Sequence, residues 1–88
     1  MHAVVFTVDM KRDWEGNVDE ELGFVVKSTT ELPGFVRGTW MTNGTSGLSV
    51  VLFESEEGAR EVAANASMPA DASVTMRSVE VYEVAAEA

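Results

Sequence analysis

Two hydrophobic periodicities take turns along this chain, and their order limits the fold more than any other feature of the sequence. His2 to Met10 (HAVVFTVDM) is rich in β-branched and aromatic residues and reads as a strand. His2, Val4, Phe6, Val8 and Met10 share one face, and Ala3, Val5, Thr7 and Asp9 the other. The charged run Lys11, Arg12, Asp13 ends it. Asn17, followed at the right spacing by Glu20, resembles a capping box with Asn in place of Ser or Thr. Val18, Leu22, Val25, Val26 and Thr29 then form the apolar stripe of an amphipathic helix. Gly23 inside that helix is either a poor helix former, at about 1 kcal/mol relative to Ala, or the mark of another backbone passing close by. Pro33 and Gly34 stop the helix.

Phe35 to Thr42 (FVRGTWMT) reads as a second strand, and Asn43 to Gly47 (NGTSG) as a hairpin turn in which Asn-Gly supplies the positive backbone angles. Leu48 to Glu54 (LSVVLFE) is the third strand, with Leu48, Val50 and Leu52 on one face and Val51 and Phe53 on the other. Ser55 caps a second helix over Glu56 to Ala66, with Ala59, Val62, Ala63 and Ala66 inward. After a break at Met68, Pro69 and Ala70, Val74 to Val84 alternates as a fourth strand. Val74, Met76, Tyr82 and Val84 are expected on one face, and Val79 and Val81 on the other. The last residues, AAEA, are expected to fray.

The order β-α-β-β-α-β predicts one α+β domain over residues 1–88. It is a ferredoxin-like arrangement with a four-stranded antiparallel sheet and both helices on one face. The first three strands carry large apolar groups on both faces, whereas an antiparallel sheet with one wet face alternates cleanly between apolar and polar. The same sheet from a second copy would cover the remaining face through one self-complementary surface, so a homodimer is expected. Size points the same way. With 88 residues and no cysteine, the chain buries only roughly 60–65% of its unfolded surface and has no disulfide or thiolate metal site to add stability.

The net charge of −9 argues against a nucleic-acid partner, as does the lack of any basic arm or stripe. Asp19, Glu20 and Glu21, then Glu56 and Glu57, fall where helices begin and complement the helix dipoles. No apolar run approaches the roughly 20 residues that span a bilayer. The N-terminal residues lack the features of a secretory signal, so a cytoplasmic protein without membrane partners is expected.

The helix ending in LPGF (Leu32 to Phe35), the hairpin after it and the segment VVLFESEEGAREVAA (Val50 to Ala64) resemble the dimeric α/β-barrel superfamily. The nearest branch is the small proteins like the antibiotic biosynthesis monooxygenases. The resemblance covers nearly the whole chain. It implies two sheets packed face to face as a dimeric barrel. It also implies a range of activities: oxidation of quinols or polyketide aromatics without metal or flavin, haem degradation, or no demonstrated activity. Haem-degrading members use a helical histidine as iron ligand, and the only histidine here is His2, on the first strand. Cofactor-free members rely on Asn, Trp and Tyr in the pocket. Trp40 and Tyr82 are of that type, while Asn17 and Asn43 read as cap and turn residues.

The residues themselves offer few sites. No phosphate loop surrounds Gly44 and Gly47, and no cluster has metal-ligand spacing, so neither cofactor nor metal is expected. Trp40 shares a strand face with Val36 and Gly38, and an indole beside a missing side chain could form a slot for a flat aromatic ligand. Trp40 could equally be core or interface. Trp14 reads as a lid over the first helix. Arg37 is placed on a face with Phe35, Thr39 and Met41. It either holds a phenolate or carboxylate or pairs with a glutamate across the dimer, and Arg77 carries the same ambiguity. Trp40, Tyr82 and Arg37 are therefore the candidate ligand-binding residues. Three functions stay open: a cofactor-free monooxygenase acting on a small aromatic or quinol, a non-catalytic module for a small apolar ligand, and a homodimer filled by its own side chains.

Overall fold

The computed structural model describes residues 1–11, 16–68 and 71–88. Trp14, with Arg12 and Asp13, and the break at Pro69 and Ala70 lie outside the described residues. The elements follow the expected order: β1 (His2–Met10), α1 (Val18–Thr30), β2 (Phe35–Thr42), β3 (Ser46–Phe53), α2 (Glu56–Asn65) and β4 (Val74–Glu83). One antiparallel sheet has the order β2-β3-β1-β4, with the two most apolar strands at its centre. This is the ferredoxin-like arrangement, with β1 and β3 paired from His2–Phe53 to Asp9–Ser46. Among the described residues, no helix is long and apolar enough to cross a membrane.

Local chemistry explains the element ends. The Asn17 side chain accepts from the Glu20 amide at 3.1 Å, and Ser55 Oγ accepts from the Gly58 amide at 3.1 Å, so both expected caps form. The hairpin is tighter than expected, because β3 begins at Ser46 rather than Leu48. Within the hairpin, among residues 43–47, only Gly44 has a positive φ, at 96°. Asn43 contributes its side chain instead, its Oδ1 accepting from the amides of Thr45 (3.2 Å) and Ser46 (2.9 Å).

Two irregularities rearrange the faces read from strict alternation. In β2 the register shifts between Phe35 and Arg37, so Val36 is bulged and Phe35 turns to the helix side, its ring edge-on to Phe53 at 6.5 Å. Arg37, Thr39 and Met41 stay on the other face, opposite Leu52, Val50 and Leu48. In β4 the shift leaves Arg77 without a β1 partner. Val74 and Met76 pair with Met10 and Val8, and Val79 and Val81 pair with Phe6 and Val4, so all four face the helices. Tyr82, opposite Ala3, falls on the helix-free face.

The closed core is small and lies at the His2–Phe53 end. Val4, Val51, Phe53 and Ala59 are buried, with Leu32, Phe35, Val62, Val79 and Val81 packed around them. α2 packs across β1, β3 and β4, whereas α1 approaches only β2 among the described strands. α1 buries no residue: its stripe residues Val18 and Leu22 remain 45% and 43% exposed, and Phe24 72%. The expected apolar stripe is present, but it faces a gap rather than a filled core.

On the helix-free face the C-terminal residues do not fray away. Glu87 reaches Arg37 at 3.6 Å, although β4 and β2 are opposite edges of the sheet. Val84 is held by its amide, which donates to the Met1 carbonyl at 3.0 Å, and Ala3 and Leu52 in the row between Tyr82 and Arg37 are buried. Arg37 thus has its glutamate within its own chain.

Candidate functional site: an apolar cavity under α1

The gap between α1, α2 and the far half of the sheet is a cavity of about 630 Å³, open to solvent on one side. Strand alternation supplies its floor: Phe6, Val8 and Met10 from β1, Ser49 and Val51 from β3, Trp40 from β2, and Val74 and Met76 from β4. Val18, Leu22, Val25 and Leu32 form one wall, and Glu61, Val62 and Asn65 of α2 the other, with Ala66 to Met68 beyond. A volume within the roughly 300–1,000 Å³ of small-molecule sites, an apolar lining and a few polar groups make this the candidate site among the described residues.

Trp40 is both wall and packing residue. It lines the cavity and is half-buried against the core cluster. Its six-membered ring lies directly over Gly38, where an added Cβ would come 2.6 Å from Cη2 and 2.9 Å from Cζ3. The missing side chain thus makes room for the indole itself, and the slot expected beside the ring is filled by the ring. The open space lies farther along, over Ser49, Val8 and Met10.

The other two candidates lie elsewhere. Arg37 and Tyr82 are on the helix-free face, and the β2 bulge precedes Arg37, so it does not turn that residue toward Trp40. The Tyr82 hydroxyl donates to Glu80 Oε2 at 3.0 Å, and this hydrogen bond, with the carboxylate's charge, raises the phenol pKa above its ordinary value. Tyr82 therefore stays protonated at neutral pH. Arg77 pairs with Asp9 at 3.6 Å, also away from the cavity. His2 faces Glu56 at 3.8 Å and is not part of the cavity lining.

Sequence reasoning missed Glu21. Read as a helix-start acid, it accepts the buried Ser73 amide at 3.0 and 3.2 Å and so ties α1 to the entry of β4. It lines the cavity, and with Glu61 it supplies the ionisable groups of the described lining. The methionines Met10, Met68 and Met76 were also passed over, although Met10 and Met76 stood on strand faces. Met is the usual filler of adaptable apolar sites. Among the described residues, no group of three or more His, Cys, Asp or Glu could hold a metal ion.

No protein-family model and no curated protein matches this chain. Solved structures do. The haem degrader MhuD from Mycobacterium tuberculosis, with two haems bound in its active site, superposes with a TM-score of 0.71 at 16% identity, over 100% of this chain and 99% of that one. A variant of MhuD with two manganese protoporphyrin IX bound per active site gives 0.70 at 16% identity, over 100% and 98%. These neighbours are haem degraders, the branch for which this chain lacks the helical histidine. At such identity the likeness speaks for the backbone. In fold, this chain shares the βαββαβ arrangement of these neighbours over its whole length.

Proposed function

We propose that this protein holds a small, flat apolar molecule in the cavity under α1 and acts on it as a cofactor-free monooxygenase, with an aromatic or quinol as substrate. The observation that carries this reading is the cavity itself: about 630 Å³, floored by Phe6, Val8, Met10 and Trp40 and bounded by a helix that buries nothing else. In such a reaction the quinol itself supplies the four electrons that reduce dioxygen: one oxygen atom enters the ring, the other leaves as water, and the product is a hydroxyquinone. The protein holds the ring and accepts a hydroxyl proton. Glu21 and Glu61 are the groups of the described lining able to take that proton. The alternative is a non-catalytic binding module built on the same cavity.

The assembly belongs to the same proposal. The helix-free face presents Val5, Leu48 and Val50, with Met41 46% exposed, and a second copy of this face is its natural cover. Haem is the competing ligand, because the fold neighbours bind porphyrins. The lining fits it poorly: His2 is outside, and the sulfur and carboxylate donors of the described lining are Met10, Met41, Met68 and Met76 with Glu21 and Glu61.

Tryptophan fluorescence during titration with naphthols and quinols, followed by oxygen-electrode measurements, tests the proposal. Saturable quenching together with oxygen consumption is the expected result. Binding without oxygen uptake would leave the binding module, and no binding by any aromatic tested would remove the site.

A further inference from the structure

We propose that the cavity selects its ligand by charge, accepting uncharged or cationic planar rings and rejecting those that carry a carboxylate. This rests on the reading of the cavity as a ligand site and goes one step further, to the class of molecule. Two carboxylates, Glu21 and Glu61, line the space, and no Lys, Arg or His does among the described residues.

The described cations are committed or placed elsewhere. Arg37 and Arg77 pair with Glu87 and Asp9 on the helix-free side, and Arg60 pairs with Glu56 at 3.0 Å on the outer surface of α2. Lys27 is an exposed residue in the last turn of α1, and Lys11 does not line the cavity. Residues 12–15 carry one basic and two acidic side chains, so by composition they add negative charge overall. A ligand carboxylate entering this space would lose hydration without gaining a cationic partner among the described residues, and it would approach a chain of net charge −9. The porphyrins bound by the fold neighbours carry two propionates, so shared backbone geometry does not imply a shared ligand.

Three probes with one ring system isolate the effect: pyrene-1-methanol, pyrene-1-methylammonium and pyrene-1-carboxylate, titrated against the full chain by fluorescence at physiological ionic strength. The methanol and ammonium compounds are expected to bind, and the carboxylate to bind at least about tenfold more weakly. Glu61→Lys, an exposed helix position at the cavity wall, should bring the carboxylate to within about threefold of the alcohol. Ser49→Phe, which fills the floor beside Trp40, should weaken all three.

Equal binding of carboxylate and alcohol would overturn charge selection while leaving the ligand site standing. Failure of Glu61→Lys to raise carboxylate affinity would overturn it too. If none of the three binds, or if Ser49→Phe changes nothing, the cavity reading falls and takes this inference with it.

Discussion

At the scale of single residues, the two aromatic candidates separate into different physical roles. Trp40 has its six-membered ring seated on Gly38 and against the core, with part of its surface open to the cavity. Trp40→Phe removes the part that covers Gly38. It should cost about 1–2 kcal/mol in chemical denaturation and weaken aromatic ligands at the same time. A stability loss with unaltered binding would leave Trp40 a packing residue only. Tyr82 is the one tyrosine of the chain, so its titration is directly visible by ultraviolet difference spectroscopy. Glu80 raises its pKa above the ordinary 10.0, so the neutral phenol is favoured in the fold. Any stability gained from this pair is present below the ordinary phenol range and is lost as pH rises through the raised pKa. Glu80→Gln should move the Tyr82 titration down toward 10.0, and an unchanged midpoint would show that the carboxylate is not the cause.

At the scale of elements, α1 differs from the rest of the molecule. Its Gly23 has open space where a Cβ would stand, with nothing within 4 Å, which decides against a close backbone approach. Gly23→Ala should therefore stabilise the protein by about 0.5–1 kcal/mol, seen as a higher denaturation midpoint. A loss of stability would mean that the helix meets a partner at this point. All six elements were legible in the sequence, because period and cap chemistry are local: Asn17 and Ser55 bond as their spacing requires. The faces of β1 were legible for the same reason. β2 was legible from Arg37 onward, with Arg37, Thr39 and Met41 on the face opposite Trp40, but its first residues and the two halves of β4 were not, since a single bulged residue such as Val36 or Arg77 reverses the positions on one side of it and leaves no compositional trace. That is why Phe35 and Tyr82 fall opposite to their expected sides. Within the site, Trp40 could be singled out from the sequence. Glu21 could not, because its partner Ser73 is 52 residues away and only tertiary structure brings the two together.

At the scale of the whole molecule, Glu87 meets Arg37 on the helix-free face, and Leu48 and Met41 remain exposed there, with Val50 on the central strand β3 opposite Val5. If two copies meet there, Val50→Asp sets paired charges in a desolvated contact and should abolish assembly. Sedimentation should then give the 9.5 kDa species alone, with the circular dichroism of the parent retained. A variant that still sediments as a dimer would place the contact on another surface. The hollow under α1 has a different kind of consequence. Val4, Val51, Phe53 and Ala59, which hold the sheet together, contribute only Val51 to the cavity, while Val18, Leu22 and Phe24 shape the cavity and bury little. Residues that secure folding and residues that would choose a ligand are thus partly separate sets: Val18, Leu22 and Phe24 of α1 line the cavity without joining the core, while Phe6, Leu32, Trp40 and Val62 serve both. Such a division lets α1 accept substitution after substitution without endangering the fold, so a library confined to its inner stripe could retune selectivity from a scaffold that stays intact throughout.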